Sequence, residues 1–169
     1  LKKMLLAEGI TGVNVSSRGV AALDDRPMSE SSQALLLSED GIIAVNHRSR
    51  KLAEADICEA DLILAMERSH VRFMADRYPG ATGKVFLLSH YAKVQEFVDI
   101  EDPAGQLGDA YYRMKREVHV ALSGALKRMR EEGLVAKAMV AHLQIKADEL
   151  TRAKRKRIAQ FRCAVLLLE

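Results

Sequence analysis

Apolar positions along this chain alternate between two spacings, one helical and one suited to buried strands. Residues 1–8 put Leu1, Met4 and Leu5 on one face with Gly9 as a stop, the last turns of an amphipathic helix. Residues 13–16 alternate briefly as a strand and run into the polar turn Ser17, Arg18, Gly19. Ser29 is placed to cap a helix over 30–37 that ends near Gly41. Residues 42–45 are extended or irregular, and a short helix is expected over 53–58. Residues 60–66 form an almost unbroken apolar run of strand length, the pattern of a strand covered on both faces. A helix opens around Glu67 to His70 and stops at Pro79 and Gly80; residues 84–88 read as a second buried strand. Residues 109–132 carry Tyr112, Val118, Leu122, Leu126 and Met129 at helical spacing, closed by Gly133. Strands alternating with helices predict an α/β fold: a small parallel sheet flanked by helices on both faces. Ligands of such sheets bind beyond the carboxyl ends of the strands. Ser17, Glu67 and the loop carrying Asp102 all follow predicted strands, so they are expected on one edge.

That loop is the densest carboxylate cluster in the chain. Asp99, Glu101 and Asp102 fall within four positions, with Ile100 the only apolar anchor among them. Pro103 fixes its own φ and biases Asp102 towards extended backbone, and Gly105 loosens the chain before the next helix. Taken alone the stretch reads equally as a solvated turn, because Asp and Pro are common turn residues.

Charge changes the picture at the C-terminal end. Residues 134–169 hold eight basic and three acidic side chains, hence +5, while residues 1–133 hold eighteen and twenty, hence −2. The predicted division is therefore a domain over 1–133 and a basic, helical extension over 134–169, with Leu143, Ile145 and Leu150 on its apolar side. The run Arg152, Lys154, Arg155, Lys156, Arg157 permits a phosphate or nucleic-acid contact, but no aromatic residue interleaves it, so a solvated helix face is the simpler reading. The two cysteines, Cys58 and Cys163, have neither disulfide-framework nor metal spacing, and no metal or cofactor is expected. Cys58 reads as a packed thiol and His70 as helix surface. No apolar run approaches the length of a membrane span and no leader is visible, so a reducing cytoplasm is the expected setting.

Six segments in order, V-x-V-S-S-R-G, R-P-M-S, N-H-R-S-R-K-L, A-D-L-I-L-A-M-E-R-S-H, K-V-F-L-L and D-I-E-D-P, resemble the low-molecular-weight protein-tyrosine phosphatases, nearest to their bacterial branch with its protein-arginine phosphatases. The resemblance covers about residues 1–130. It implies a four-stranded parallel sheet with helices on both faces and phosphomonoester hydrolysis through a cysteinyl-phosphate. Asp102 then takes the place of the general acid, and His47 that of a histidine supporting the phosphate loop. Glu67 stands where a carboxylate often follows the third strand. Leu23 and Ala104 fall near the walls of the substrate pocket, Ala104 where an aromatic residue is common. The implied partner is a phosphorylated protein or a small phosphoester.

One feature of the pattern is absent: the sequence contains no C-x5-R. Six positions beyond Cys58 stands Leu64, and six beyond Cys163 stands Glu169. The resemblance begins just after the nucleophile loop and the first strand, which is central in that fold, so the chain reads as N-terminally incomplete. Three readings stay open: a phosphatase lacking this loop and inactive as written, a catalytically dead phosphatase-fold binding module, and an arsenate reductase-like protein, which would need further redox cysteines. The vacancy makes its own prediction. Residues 163–168 are the one spare apolar segment of strand length, and either they insert as a substitute central strand or the strand at 13–16 is left detached. Their leucine-rich composition favours helix.

Overall fold

The computed structural model describes residues 1–106, 108–136 and 161–166. In chain order its elements are α1 (Lys2–Ala7), β1 (Val13–Arg18), α2 (Glu30–Asp40), α3 (Glu54–Glu59), β2 (Leu62–Ala65), α4 (Arg68–Arg77), a 3-10 turn (Pro79–Lys84), β3 (Val85–Leu87), α5 (Leu88–Tyr91), α6 (Gly108–Glu131) and β4 (Phe161–Leu166). The strands form a four-stranded sheet in the order β1-β4-β2-β3, and every adjacent pair is parallel.

Strand β2 shows why the sheet lies inside. All four of its residues are buried, and they divide by parity, as side chains alternate across a strand. Leu62 and Leu64 join one apolar cluster with Leu5 of α1 and with Leu122, Ala125, Leu126 and Met129 of α6. Ile63 and Ala65 join the other, with Ile57 of α3 and Met74 of α4. The unbroken apolar run is thus the price of having helices on both faces. Helix α6 approaches closely where Gly124 meets α5: a Cβ at that glycine would stand 2.6 Å from the Ala92 carbonyl oxygen.

The central position, expected to be vacant, is filled by β4, a segment far along the chain. Val13 to Arg18 pair in register with Phe161 to Leu166, and Leu62 to Ala65 with Cys163 to Leu166. Leucine-rich composition had favoured helix here, and that preference is overridden. An inserted strand pairs the backbone groups of both neighbours at once, whereas unpaired buried amides and carbonyls are costly. The same pairing lengthens β1 from the four residues its alternation marks to six. The extension over 134–169 is therefore not helical at Phe161–Leu166. Its proposed helical face at Leu143, Ile145 and Leu150 and the basic run from Arg152 to Arg157 lie outside the described residues. Among the described residues no helix is long and apolar enough to cross a membrane.

Candidate active site

Because the strands are parallel, their carboxyl ends share one edge. Register places Arg18, Leu166, Ala65 and Leu87 in a row across it. The loops that leave this row carry the residues of interest, and they form two groups on either side of the end of β4.

On the β2 side, the acidic loop is fastened to the strand ends by its own backbone. The Ile100 amide donates to the Met66 carbonyl (3.0 Å), and the Ile100 side chain is buried in the α6-side cluster. The hydroxyl of buried Ser89 donates to the Val98 carbonyl. Asp99 binds the start of α4 in two ways. Its Oδ1 accepts from the Arg68 amide (2.8 Å), and its Oδ2 accepts from Arg68 Nε (3.0 Å), with Nη2 also at 3.0 Å. The carboxylate thereby satisfies one of the free amides at the helix start and meets the positive end of the helix dipole. Desolvation pushes the Asp99 carboxyl up, but the bonds and charge of Arg68, with a smaller contribution from His70, outweigh it and hold the group below its ordinary value.

These fastenings present Asp102. It is half-buried, and its Oδ1 accepts from the Ala104 amide (2.8 Å), an Asx-type turn that orients the carboxylate within its own loop. Pro103 behind it is buried, and Gly105 takes the left-handed conformation (φ 76°) that lets the chain turn towards α6. Ala104 is exposed. Glu67 holds the N-cap position of α4 without a side-chain bond to the helix amides, and its Oε2 accepts from the Ser69 hydroxyl (2.8 Å).

His70, expected on the helix surface, is only 6% exposed, and its buried Nδ1 has no hydrogen-bond partner among the described residues. Burial lowers its pKa, against the opposing charges of Glu67 and Asp99. His70 lies one turn before buried Met74 on the same face of α4, so helical spacing from Met74 is the signal that could have found it. Cys58, read as packed, is exposed, because it falls on the outward side of a short helix whose inward residue is Ile57.

On the β1 side, the segments around 19–26 and 49–52 are zipped together. Gly19 donates to the Arg50 carbonyl and Leu52 to that of Gly19; Asp25 donates to the Ser49 carbonyl and Ser49 to that of Arg26. Buried Ser49 completes the zipper, its hydroxyl donating to the Leu23 carbonyl and accepting from the Arg26 amide (3.0 Å). Sequence reasoning passed over Ser49, since a serine among arginines looks like surface. The zipper carries Leu23, whose side chain is 66% exposed, and His47, whose imidazole is half-buried and has no hydrogen-bond partner among the described residues. Arg18, at the end of β1, is held by Asp56 of α3 (2.7 Å) and by the Ser17 carbonyl.

The flanks differ in net charge: the β1 side carries Arg18, Arg26, Arg48, Arg50 and Lys51 against Asp24, Asp25 and Asp56, and the β2 side Glu67, Asp99, Glu101 and Asp102 against Arg68. The β2-side fastenings tie the loop of Asp102 and Ala104 to the residues on either side of Glu67, and the β1-side zipper ties the segment of Leu23 to the one that follows His47. No described contact joins the two groups directly. Such an edge can take an anion against one wall and present a carboxyl group from the other.

Known proteins share both the sequence and the fold. Residues 1–137 match the model of the family described as low molecular weight phosphotyrosine protein phosphatase. The probable low molecular weight protein-tyrosine-phosphatase EpsP of Ralstonia solanacearum is 34% identical over 103 residues, covering 61% of this chain and 68% of that protein. The protein-arginine-phosphatase of Bacillus subtilis is 30% identical over 131 residues, 78% of this chain and 85% of its own. The solved YwlE arginine phosphatase from Geobacillus stearothermophilus superposes with a TM-score of 0.68 at 30% identity, over 78% of this chain and 83% of that one. Sequence and overall fold agree, and this chain belongs to the low molecular weight phosphotyrosine protein phosphatase family.

Proposed function

We propose that this fold serves the hydrolysis of phosphorylated protein, phosphotyrosine or phosphoarginine, in the cytoplasm, with Asp102 as general acid. The observation that carries the reading is the fastening of the Asp102 loop across the ends of β2 and β3, through Ile100, Asp99 and Ser89. A positioned acid is what a poor leaving group needs. As a thiolate forms its S–P bond, the P–O or P–N bond to the substrate breaks and Asp102 gives its proton to the departing atom. The Asp102 carboxylate then takes a proton from the water that cleaves the S–P bond. His47 supports the anion-binding loop, the β1-side arginines hold the dianion at the edge, and Leu23, Ala104 and Glu67 border the substrate. Names among the relatives support both substrates, tyrosine for the Ralstonia protein and arginine for the Bacillus one.

The nucleophile is the open part of this mechanism, because the 169 residues contain no C-x5-R. By itself this chain is expected to hydrolyse no aryl phosphate above background. Turnover abolished by Cys163→Ser would overturn that expectation. The role of Asp102 is tested by extending the chain ahead of Leu1 with a strand and C-x5-R-[ST] loop and ending it after residue 136, so that the added strand takes the central place. Asp102→Ala then lowers kcat by roughly 100-fold with little change in substrate binding. Equal turnover in both proteins removes Asp102 from the role. The central strand position taken by β4 favours a second reading, a binding module that holds a phosphorylated segment at this edge without cleaving it. Calorimetric titration of the unextended chain with a phosphotyrosine peptide separates them, since the module binds the peptide and releases no phosphate.

A further inference from the structure

Strand β3 ends the sheet on one side. It pairs with β2 and, among the described strands, with no other. Its free edge borders a cleft of about 510 Å³ whose described lining contains cationic and apolar side chains and no carboxylate. Arg68 and Arg72, four positions apart on α4, share one face of that helix; His90 comes from α5 and Arg128 from α6. The Arg128 guanidinium lies over the Tyr91 ring at 4.3 Å and near that of Phe86 at 5.9 Å, and it donates to the Tyr91 carbonyl (3.2 Å) and to Glu132 (2.7 Å). Arg68 is fixed by Asp99. Two of the arginines are thus each neutralised and held by an acid standing behind the cleft. Arg72 is exposed and forms no ion pair among the described residues, so its charge is left for something else.

We propose that this cleft docks an extended acidic segment of a partner protein, which adds to the free edge of β3 and sets carboxylates against Arg72 and its neighbours. An unpaired strand edge offers a row of backbone donors and acceptors to a strand from another chain. Side chains of an added strand alternate in direction, so a segment of alternating acidic and apolar residues meets the cations with one set and the half-buried Phe86 floor with the other. A small anion would satisfy the charge and leave that floor uncovered. The described lining holds no carboxylate to attract a basic segment, which is how complementary charge selects a partner. Docking here asks nothing of Asp102.

The test uses the full chain and a fluorescein-labelled peptide of alternating Glu and Val, read by fluorescence anisotropy. Binding is expected to weaken with added salt, to be lost for the Lys–Val counterpart, and to be lost when alternate peptide nitrogens are methylated. Arg72→Glu should weaken it roughly tenfold, reversing one exposed charge contact, while Arg72→Lys largely preserves it. Because Arg72 is exposed, an unchanged thermal midpoint for Arg72→Glu confirms that folding is intact. Equal affinity of the wild type and Arg72→Glu overturns the proposal and assigns the peptide to another basic site, such as the run from Arg152 to Arg157. Equal affinity of the methylated peptide overturns strand addition, and no binding of the Glu–Val peptide overturns the whole.

Discussion

Strands β2 and β4 lie side by side in the middle of the sheet and arrive there by different routes. β2 falls within the residues that match the family, and its alternate residues pack against helices on both faces. β4 lies beyond the matched residues 1–137, yet it pairs with β1 over six positions and with β2 over four. A burial pattern assigns β2 its place. For β4 the assignment comes from the two strand edges it joins. An interior position in a parallel sheet is a demand for backbone partners, and a late segment of the same chain can meet it.

The comparison is broken most severely by removing residues 161–169. Among the described strands, β1 then loses its only partner and β2 one of two. Each buried group left unpaired costs about 1–3 kcal/mol. Several such losses exceed a net stability of roughly 5–15 kcal/mol, so the shortened chain should be unfolded by circular dichroism. Ala164→Pro is the milder form. Ala164 stands in register with Ser16 and Ile63, and a proline there removes a ladder donor from an interior strand, costing about 3 kcal/mol or more in urea unfolding. An unchanged midpoint would mean that β4 does not hold the central place.

Leu64→Ala strikes the other strand through its side chain. Leu64 is fully buried, and truncation should cost about 2–5 kcal/mol, with backbone exchange at β1 and β4 perturbed less than by Ala164→Pro. A loss under about 1 kcal/mol would show that the face collapses around the gap and that β2 is not held by packing.

The smallest effects sharpen the comparison at the carboxyl end of β2, where the acidic loop is fastened. Asp99→Asn should cost about 1 kcal/mol at neutral pH, through the helix-start bond and the partly exposed pair with Arg68. The pH dependence has a definite sign. Both His70 and Asp99 have folded-state pKa values below their ordinary ones, 6.5 and 3.8, so the unfolded chain binds more protons as pH falls. Stability from His70 is present above pH 6.5 and is lost as pH falls from there towards its lowered folded value; that from Asp99 is lost below pH 3.8. His70→Asn should flatten the upper window in urea midpoints measured across it and leave the lower one. An unaltered slope in the upper window would assign it to another group.

Much of the site can be read in local sequence. Asp99, Ile100, Asp102 and Pro103 announce an ordered acidic loop, and Glu67 follows a strand marked by its apolar run, whereas Ser17, expected beyond a strand, lies within β1 because pairing with β4 extends it to Arg18. The partners that fix these residues cannot be read the same way. Arg68 meets Asp99 across 31 positions, and Ser49 meets Leu23 across 26. Each joins two loops whose proximity exists only once the parallel strands have brought their ends to one edge. The burial of His70 is different, since it follows the spacing of its own helix, one turn before buried Met74 on the same face.

The sequence by itself determined the α/β alternation, the two-sided burial of β2, the apolar face of α6 and the family, because each rests on residue spacing within a single element. Tertiary structure alone decided the centre of the sheet. The segment from Phe161 to Leu166 has a composition suited to helix, and no local rule marks it as the strand between β1 and β2. It becomes a strand because two sheet edges otherwise leave their amides and carbonyls unpaired, and one extended segment placed between them satisfies both.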